Sequence, residues 1–371
     1  MSTSTQPIPQ PLLTYDGRTA DLYRIFLINL LLNIVTLGIW RFWGITRTRR
    51  YLWSRTSSNG SRFEYDGTGG QLFVGFLLAM LVILGMLGVA FGCVVALRGH
   101  GFVAAIPIIL VYVGILVLAL GAPFSAQRYR LSHTVWRGIR GGMEGSMLAY
   151  GLRALGYVFL MVVSFYQCIP WASLRLLERR INASSFGNQR FAARGKPGQL
   201  YVRFLLTFLA VAVLVAVVFA TTWVFVEPLF KAAGLAAQQH QPVDPRISRG
   251  ITFAFLPAYL VVGLGASLIS ASYTAAFFRH ITSHTTLGGI QFSSAVTTGT
   301  VIRLIAGNAL LLIVTLGFGM PIVTQRNVRY FTSNLLATGS LDLATLGQNE
   351  QRVSRFGEGM FQALDAGAGI A

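Results

Sequence analysis

The chain has 371 residues, 54% of them apolar and only 11% charged, with mean hydropathy +0.60 and a formal net charge of +18. A soluble domain carries about 25% charged residues, so this composition excludes an ordinary soluble protein and points to a membrane. Nearly all the positive charge is Arg, with lysine only at Lys196 and Lys231. These arginines flank apolar runs instead of forming a separate basic domain, so they read as orientation signals and contacts for anionic lipid, and no nucleic acid is expected.

In chain order, residues 1–21 are polar and rich in Pro and Thr, with no apolar stretch near a cleavage site. No secretory signal is expected there. The runs 72–97, 102–122, 200–226 and 251–272 are long enough to cross a bilayer. The runs 22–40, 147–170 and 301–323 are shorter or interrupted. Cys93 and Cys168 both fall in apolar segments and read as reduced packing residues, not a disulfide framework.

Two stretches repeat one pattern before an apolar run: RFEYDGTGGQLF at 62–73 and RFAARGKPGQLY at 190–201. A longer match lays Arg24, Asn29, Thr36, Leu37 and Gly38 on Arg303, Asn308, Thr315, Leu316 and Gly317. It continues by laying Arg47, Arg50 and Tyr51 on Arg326, Arg329 and Tyr330. The unit implied is a polar Gly/aromatic segment, an apolar helix, a break, and a second helix ending in an Arg-rich stretch. Alternation in SRFEYDG suggests a short strand ending in a Gly turn. The expected division is a polar segment 1–21, a membrane domain 22–340 with repeats 22–62, 63–142, 143–190, 191–291 and 292–340, and a polar tail 341–371.

Seven plain alternating spans would put the Arg-rich stretch 171–199 on the opposite side from the other basic connectors, against the positive-inside rule. The preferred topology has full hairpins at 72–122 and 200–272. The runs broken at Thr36 and Gly38, near Pro170, and at Thr315, Gly317 and Pro321 then form tight or re-entrant hairpins. All Arg-rich connectors, with both termini, would lie in the cytoplasm. Breaks at membrane depth are tolerated where protein or a wet cavity covers them.

Thr36-Leu37-Gly38-Ile39-Trp40, then Trp43, then Arg47-Thr48-Arg49-Arg50-Tyr51, then Gly60 to Gly67 form a distinctive series. With the apolar run before it, this stretch resembles the YjgN-like family of bacterial inner-membrane proteins. Arg41 beside Trp40 departs from the family pattern. The resemblance implies inner-membrane location and a repeated architecture, and it implies no activity, since the family's domain is of unknown function.

Catalytic chemistry needs nucleophiles, acids and bases within reach of one another, and no such set is apparent. No carboxylate lies mid-span, which disfavours a proton-coupled pump. His280 and His284 have i, i+4 spacing but no third ligand nearby, so no metal and no cofactor are expected. Trp40, Trp43, Arg47, Arg50, Tyr51, Arg326, Arg329 and Tyr330 read as an interfacial belt. Arg24, Asn29, Arg153, Arg303 and Asn308 are candidates for a shared site for an anionic group. The fold expected is all-α and polytopic, built from repeated helical hairpins. The function expected is a transporter or channel for a small or anionic solute. The alternative is a non-enzymatic scaffold binding anionic membrane lipids.

Overall fold

The structure is a computed structural model that describes residues 10–239, 242, 244–339, 347 and 348. Residues 1–9, His240, residues 241 and 243, residue 340 and the tail 341–371 apart from 347 and 348 lie outside the described residues. Two short strands open the described chain, β1 (Gln10–Pro11) and β2 (Thr14–Tyr15). A helical pair follows, α1 (Thr19–Val35) and α2 (Arg41–Ser54), and then a hairpin, β3 (Thr56–Ser58) and β4 (Ser61–Tyr65). The same order recurs in α3 (Gly69–Ala96), α4 (Ile106–Ser132), β5 (Thr134–Trp136) and β6 (Ile139–Met143). It recurs again in α5 (Met147–Val163), α6 (Ile169–Ala183), β7 (Ser184–Phe186) and β8 (Gln189–Ala193). A further round is α7 (Gly198–Gln238), α8 (Pro245–Ser283), β9 (Thr285–Leu287) and β10 (Ile290–Ser294). The last is α9 (Thr298–Val314), α10 (Met320–Asn334) and β11 (Leu335–Thr338).

The all-α expectation is corrected by this structure. The described strands form one eleven-stranded antiparallel sheet in the order β1-β11-β10-β9-β8-β7-β6-β5-β4-β3-β2. The Gly/aromatic connectors are β-hairpins, and each hairpin also pairs sideways with the next. Thus Phe63, Glu64 and Tyr65 oppose Trp136, Val135 and Thr134, and Phe191, Ala192 and Ala193 oppose Leu287, Thr286 and Thr285. A two- to five-residue strand cannot satisfy its backbone alone, and lateral pairing supplies the missing partners. The end strands β1 and β2 are separated by only two residues, so the sheet nearly closes on itself.

Because neighbouring strands are antiparallel, their connections alternate between the two ends of the strands. The tight turns at 59–60, 137–138, 187–188 and 288–289 join the strands at one end. The helix-containing connections join them at the other end. Asn59-Gly60 and Arg137-Gly138 have positive φ at both positions, the type I′ geometry that suits the twist of a two-residue hairpin.

The residues group into two compact units. The first holds the chain up to Gly195, residues 281–295 and the described residues from Thr315, and so contains the whole sheet. One part of its core is Phe42, Tyr65, Leu72 and Tyr129, with Trp43 and Trp53 packed against them. Another is Phe124, Met143, Tyr150 and Ala154. The second unit holds Lys196–His280 and Val296–Val314. In it α7 and α8 meet through the Phe204 and Tyr273 rings, 5.6 Å apart, and through Thr207 and Ser272, 3.3 Å apart.

The described helices long and apolar enough to cross a membrane are Gly69–Ala96, Gly101–Ser132, Gly198–Gln238 and Pro245–Ser283; the second joins a 3-10 turn to α4. The apolar helices α5 and α9 are shorter.

Candidate functional site: the necks and turns of the helical pairs

Each helical pair is closed at its sheet end by one backbone bond. The N–H groups of Asp16, Asp66, Glu144, Arg194 and Ala295 donate to the carbonyls of Arg55, His133, Ala183, His284 and Asn334, at 2.9–3.2 Å. Each pair is then tied to the next by a side chain six residues before a strand. Arg50 donates to the Gly67 carbonyl at 2.9 Å, and Arg128 to the Gly145 carbonyl at 3.1 Å. Arg279 donates to the Val296 carbonyl. Arg329 on α10 donates to the Gly17 carbonyl at 3.2 Å, which carries the series back to the start of α1. Gln325 and Thr19 reinforce that seam, Gln325 donating to the Gly17 carbonyl and accepting from the Thr19 hydroxyl.

The third pair reverses the polarity. Glu178 stands where the others have Arg, and its Oε1 accepts from the Gly195 N–H at 2.6 Å. Its Oε2 accepts from Arg175 at 2.7 Å, and the side chain is buried. A second set of charges links hairpin to hairpin at the surface, pairing Asp16 with Arg62, Asp66 with Arg140 and Glu144 with Arg190. Such exposed pairs contribute about 0–1 kcal/mol each, so they fix geometry more than stability.

The three short pairs turn in five residues, at 36–40, 164–168 and 315–319. Thr36 donates its hydroxyl to the Leu32 carbonyl and accepts from the Trp40 N–H, at 2.7 and 2.9 Å. Ser164 does the same with Met161 and Cys168, and Thr315 accepts from the Gly319 N–H at 2.7 Å. Gly38 and Gly317 both have φ +89°, and Leu37 and Leu316 before them have φ near +50°. In the third pair Phe165 and Tyr166 hold the same left-handed geometry without a glycine, at φ +50° and +66°. Pro170 and Pro321 lie in the first turn of α6 and α10, where a missing N–H breaks no helix bond. They start the second helix and do not interrupt the first.

Asn29 is buried, donating to the Gly44 carbonyl at 3.3 Å and accepting from Trp40 Nε1 at 3.2 Å. It therefore bridges α1 and α2. Asn308 is half-buried on α9 in the second unit. Arg24 and Arg153 are exposed on α1 and α5 of the first unit, and Arg303 is exposed on α9 of the second. Arg203, which sequence reasoning did not single out, is exposed at the matching place on α7.

Among the belt residues, Trp40 and Trp43 stack at 5.8 Å. Arg47 and Arg326 are exposed, while Arg50 and Arg329 hold connectors as described. The Tyr51 hydroxyl accepts from the Arg18 N–H at 2.7 Å and lies 3.1 Å from Asp21. Tyr330 meets the Phe331 ring edge-on. Burial, with the nearby Tyr51, pushes the Tyr15 phenol up to about 12. His280 is buried and its Nε2 accepts from the Lys196 N–H, and His284 lies beyond the end of α8. Among the described residues no group of three His, Cys, Asp or Glu could hold a metal ion.

Among the described residues, four helices long and apolar enough to cross a bilayer fit a membrane protein. The family model for a bacterial protein of unknown function (DUF898) matches residues 10–363, and the chain belongs to that YjgN-like family. It is similar to Inner membrane protein YjgN of Salmonella typhimurium, with 35% identity over 72 residues, 19% of this chain and 18% of that one. It is also similar to Inner membrane protein YjgN of Escherichia coli K12, with 33% identity over 96 residues, 24% of each chain. A third relative, of Escherichia coli O157:H7, is 29% identical over 146 residues, 38% of this chain and 33% of that one. The matches thus span no more than a third of these curated relatives. No solved structure matches the chain.

Proposed function

We propose that this protein is a multi-pass inner-membrane scaffold of five internally repeated helical pairs, without enzymatic activity, that binds anionic phospholipid. One observation carries the reading. Four of the five first helices, α1, α5, α7 and α9, bear an exposed arginine within the first two turns: Arg24, Arg153, Arg203 and Arg303. At about 1.5 Å per residue, each of these arginines lies some 8–9 Å along its helix from the first helical residue. That is headgroup depth if the sheet lies against the membrane surface. Long arginine stems reach the interface from such positions, and the planar fork matches a phosphate. Sheet, connectors and termini are assigned to the cytoplasm, because the hairpins of the sheet and the helix segments that lead into its strands together carry most of the arginines.

The test is native mass spectrometry of protein extracted with its lipids. Arg24→Gln, Arg153→Gln, Arg203→Gln and Arg303→Gln together should leave the protein folded and strip it of phosphatidylglycerol and cardiolipin. Retention of the same anionic lipids by the folded variant would refute the reading. Passage of a small anion is the second reading. It is favoured by the exposed arginines on the second helices, Arg47, Arg179 and Arg326. Anion flux into proteoliposomes, abolished by Arg47→Gln with Arg326→Gln, would place it first.

A further inference from the structure

We propose that the turns at 36–40, 164–168 and 315–319 are seated in the hydrocarbon of the bilayer, so that the short helical pairs enter and leave the membrane on the same side. The occupant of these surfaces is lipid acyl chain. This inference does not rest on lipid binding by the arginines.

The turn tips are among the most exposed apolar groups of the molecule: Leu37 at 93%, Leu316 at 88% and Phe165 at 82%. All three sit at positive φ. Turns in water favour Gly, Asn or Asp at such positions, or another polar residue, as Arg137 in a tight turn of the sheet shows. Leucine and phenylalanine there gain nothing from water, and a hydrocarbon environment accounts for them. Tyr166, Ile39 and Phe318 widen the apolar surface of the same turns.

The backbone of these turns is also closed in the way a bilayer demands, since no water is present to pair an open N–H or C=O. The Gly38 N–H donates to the Asn33 carbonyl at 2.7 Å and that of Ile39 to Thr36 at 3.1 Å. The Tyr166 and Gln167 N–H groups repeat this on Met161 and Ser164. The hydroxyls of Thr36, Ser164 and Thr315 take the N–H four residues on, at 2.7–3.1 Å. Each turn thus has a side-chain hydroxyl doing what water would otherwise do.

Length sets the depth. The helices α1, α5 and α9 each have 17 residues. At about 1.5 Å per residue that is roughly 25 Å, short of the ~30 Å hydrocarbon core. The four long helices have 27 to 41 residues. Arg41, just past the first turn, lies 4.8 Å from the Phe42 ring centroid and 5.2 Å from that of Phe76. Aromatic faces are suitable company for a cation beside hydrocarbon.

The test uses single spin labels on Leu37→Cys, Phe165→Cys and Leu316→Cys, in a background with Cys93→Ser and Cys168→Ser. Ile39→Cys and Phe318→Cys stand in should a tip variant fail to fold. Asn59→Cys, in a tight turn of the sheet, is the aqueous control. The protein is reconstituted in vesicles of phosphatidylethanolamine and phosphatidylglycerol, and collisions with oxygen and with a water-soluble nickel complex are measured by power saturation. Tip labels should favour oxygen and be shielded from nickel on both faces, with the reverse at residue 59. Nickel access at the tips matching residue 59, or access from the far face, would overturn the inference. The lipids retained by the arginine variants are read separately, so either idea can fail alone.

Discussion

Replacing Glu178 tests whether the reversed-polarity clamp holds the third helical pair to the chain that follows it. Glu178 is 5% exposed and accepts from both the Gly195 N–H and Arg175. Alanine removes both bonds and leaves the Gly195 N–H with no partner from that side chain. A net hydrogen bond to a charged group is worth about 1.5–3 kcal/mol, and an orphaned buried donor costs about 1–3 kcal/mol. Arg175 is 39% exposed on its side chain and regains water, so its share is small. The expected loss for Glu178→Ala is therefore about 2–4 kcal/mol. Glu178→Gln keeps an acceptor for Gly195 and should lose about half as much, and Arg175→Ala less than about 1 kcal/mol. Thermal unfolding of the detergent-solubilised protein, followed by the fraction remaining monodisperse, ranks the three. Equal midpoints for Glu178→Ala and wild type would refute the clamp.

Gly38→Ala and Gly317→Ala should each lower stability by about 1–2 kcal/mol. The cause is backbone strain alone, because a Cβ added at either position would meet nothing within 4 Å; additive midpoint shifts in the same thermal assay check this, and no shift would show that the turns adapt. Asn29→Leu removes the α1–α2 bridge and should cost about 0.6–2 kcal/mol, read as a lower unfolding midpoint with the Trp40 emission shifted. Tyr15 has its folded value raised to about 12 from 10.0, so the stability its neutral form contributes is complete below pH 10 and lost as pH rises through 12. Tyr15→Phe should flatten that alkaline loss in a pH-dependent unfolding series, and an unchanged alkaline profile would exclude Tyr15 as its source.

The long apolar helices were legible because 18 or more apolar residues in a row have few soluble explanations. The turns at Thr36-Leu37-Gly38 and Thr315-Leu316-Gly317 were legible from their glycines. The third turn was placed near Pro170 because Ser164-Phe165-Tyr166 has no glycine to mark it. SRFEYDG announced a strand, yet the sheet stayed hidden. Its pairings join residues such as Glu64 and Val135, far apart in sequence, and local alternation carries no information about partners. The clamps were hidden for a different reason. Arg50, Arg128, Glu178, Arg279 and Arg329 share a place before a strand, but one is an acid, and their partners are backbone groups. Arg24, Arg153 and Arg303 stood out by recurrence, and Arg203 escaped because its helix is long and apolar on either side. Asn29 looked like a polar group awaiting a ligand, and its bridge to α2 could be seen only once Trp40 and Gly44 were brought beside it.

Entry of every helical pair into the membrane from one side is the central claim. Single cysteines at Asn59, Arg137, Asn188 and Gly289, one in each tight turn, test this most directly when probed in intact cells and inverted vesicles with a membrane-impermeant maleimide. Labelling of all four from the cytoplasmic face and none from outside is the predicted result. Labelling of Asn188 from the outside, with Asn59 still reached from the cytoplasm, would restore seven alternating spans and contradict the claim.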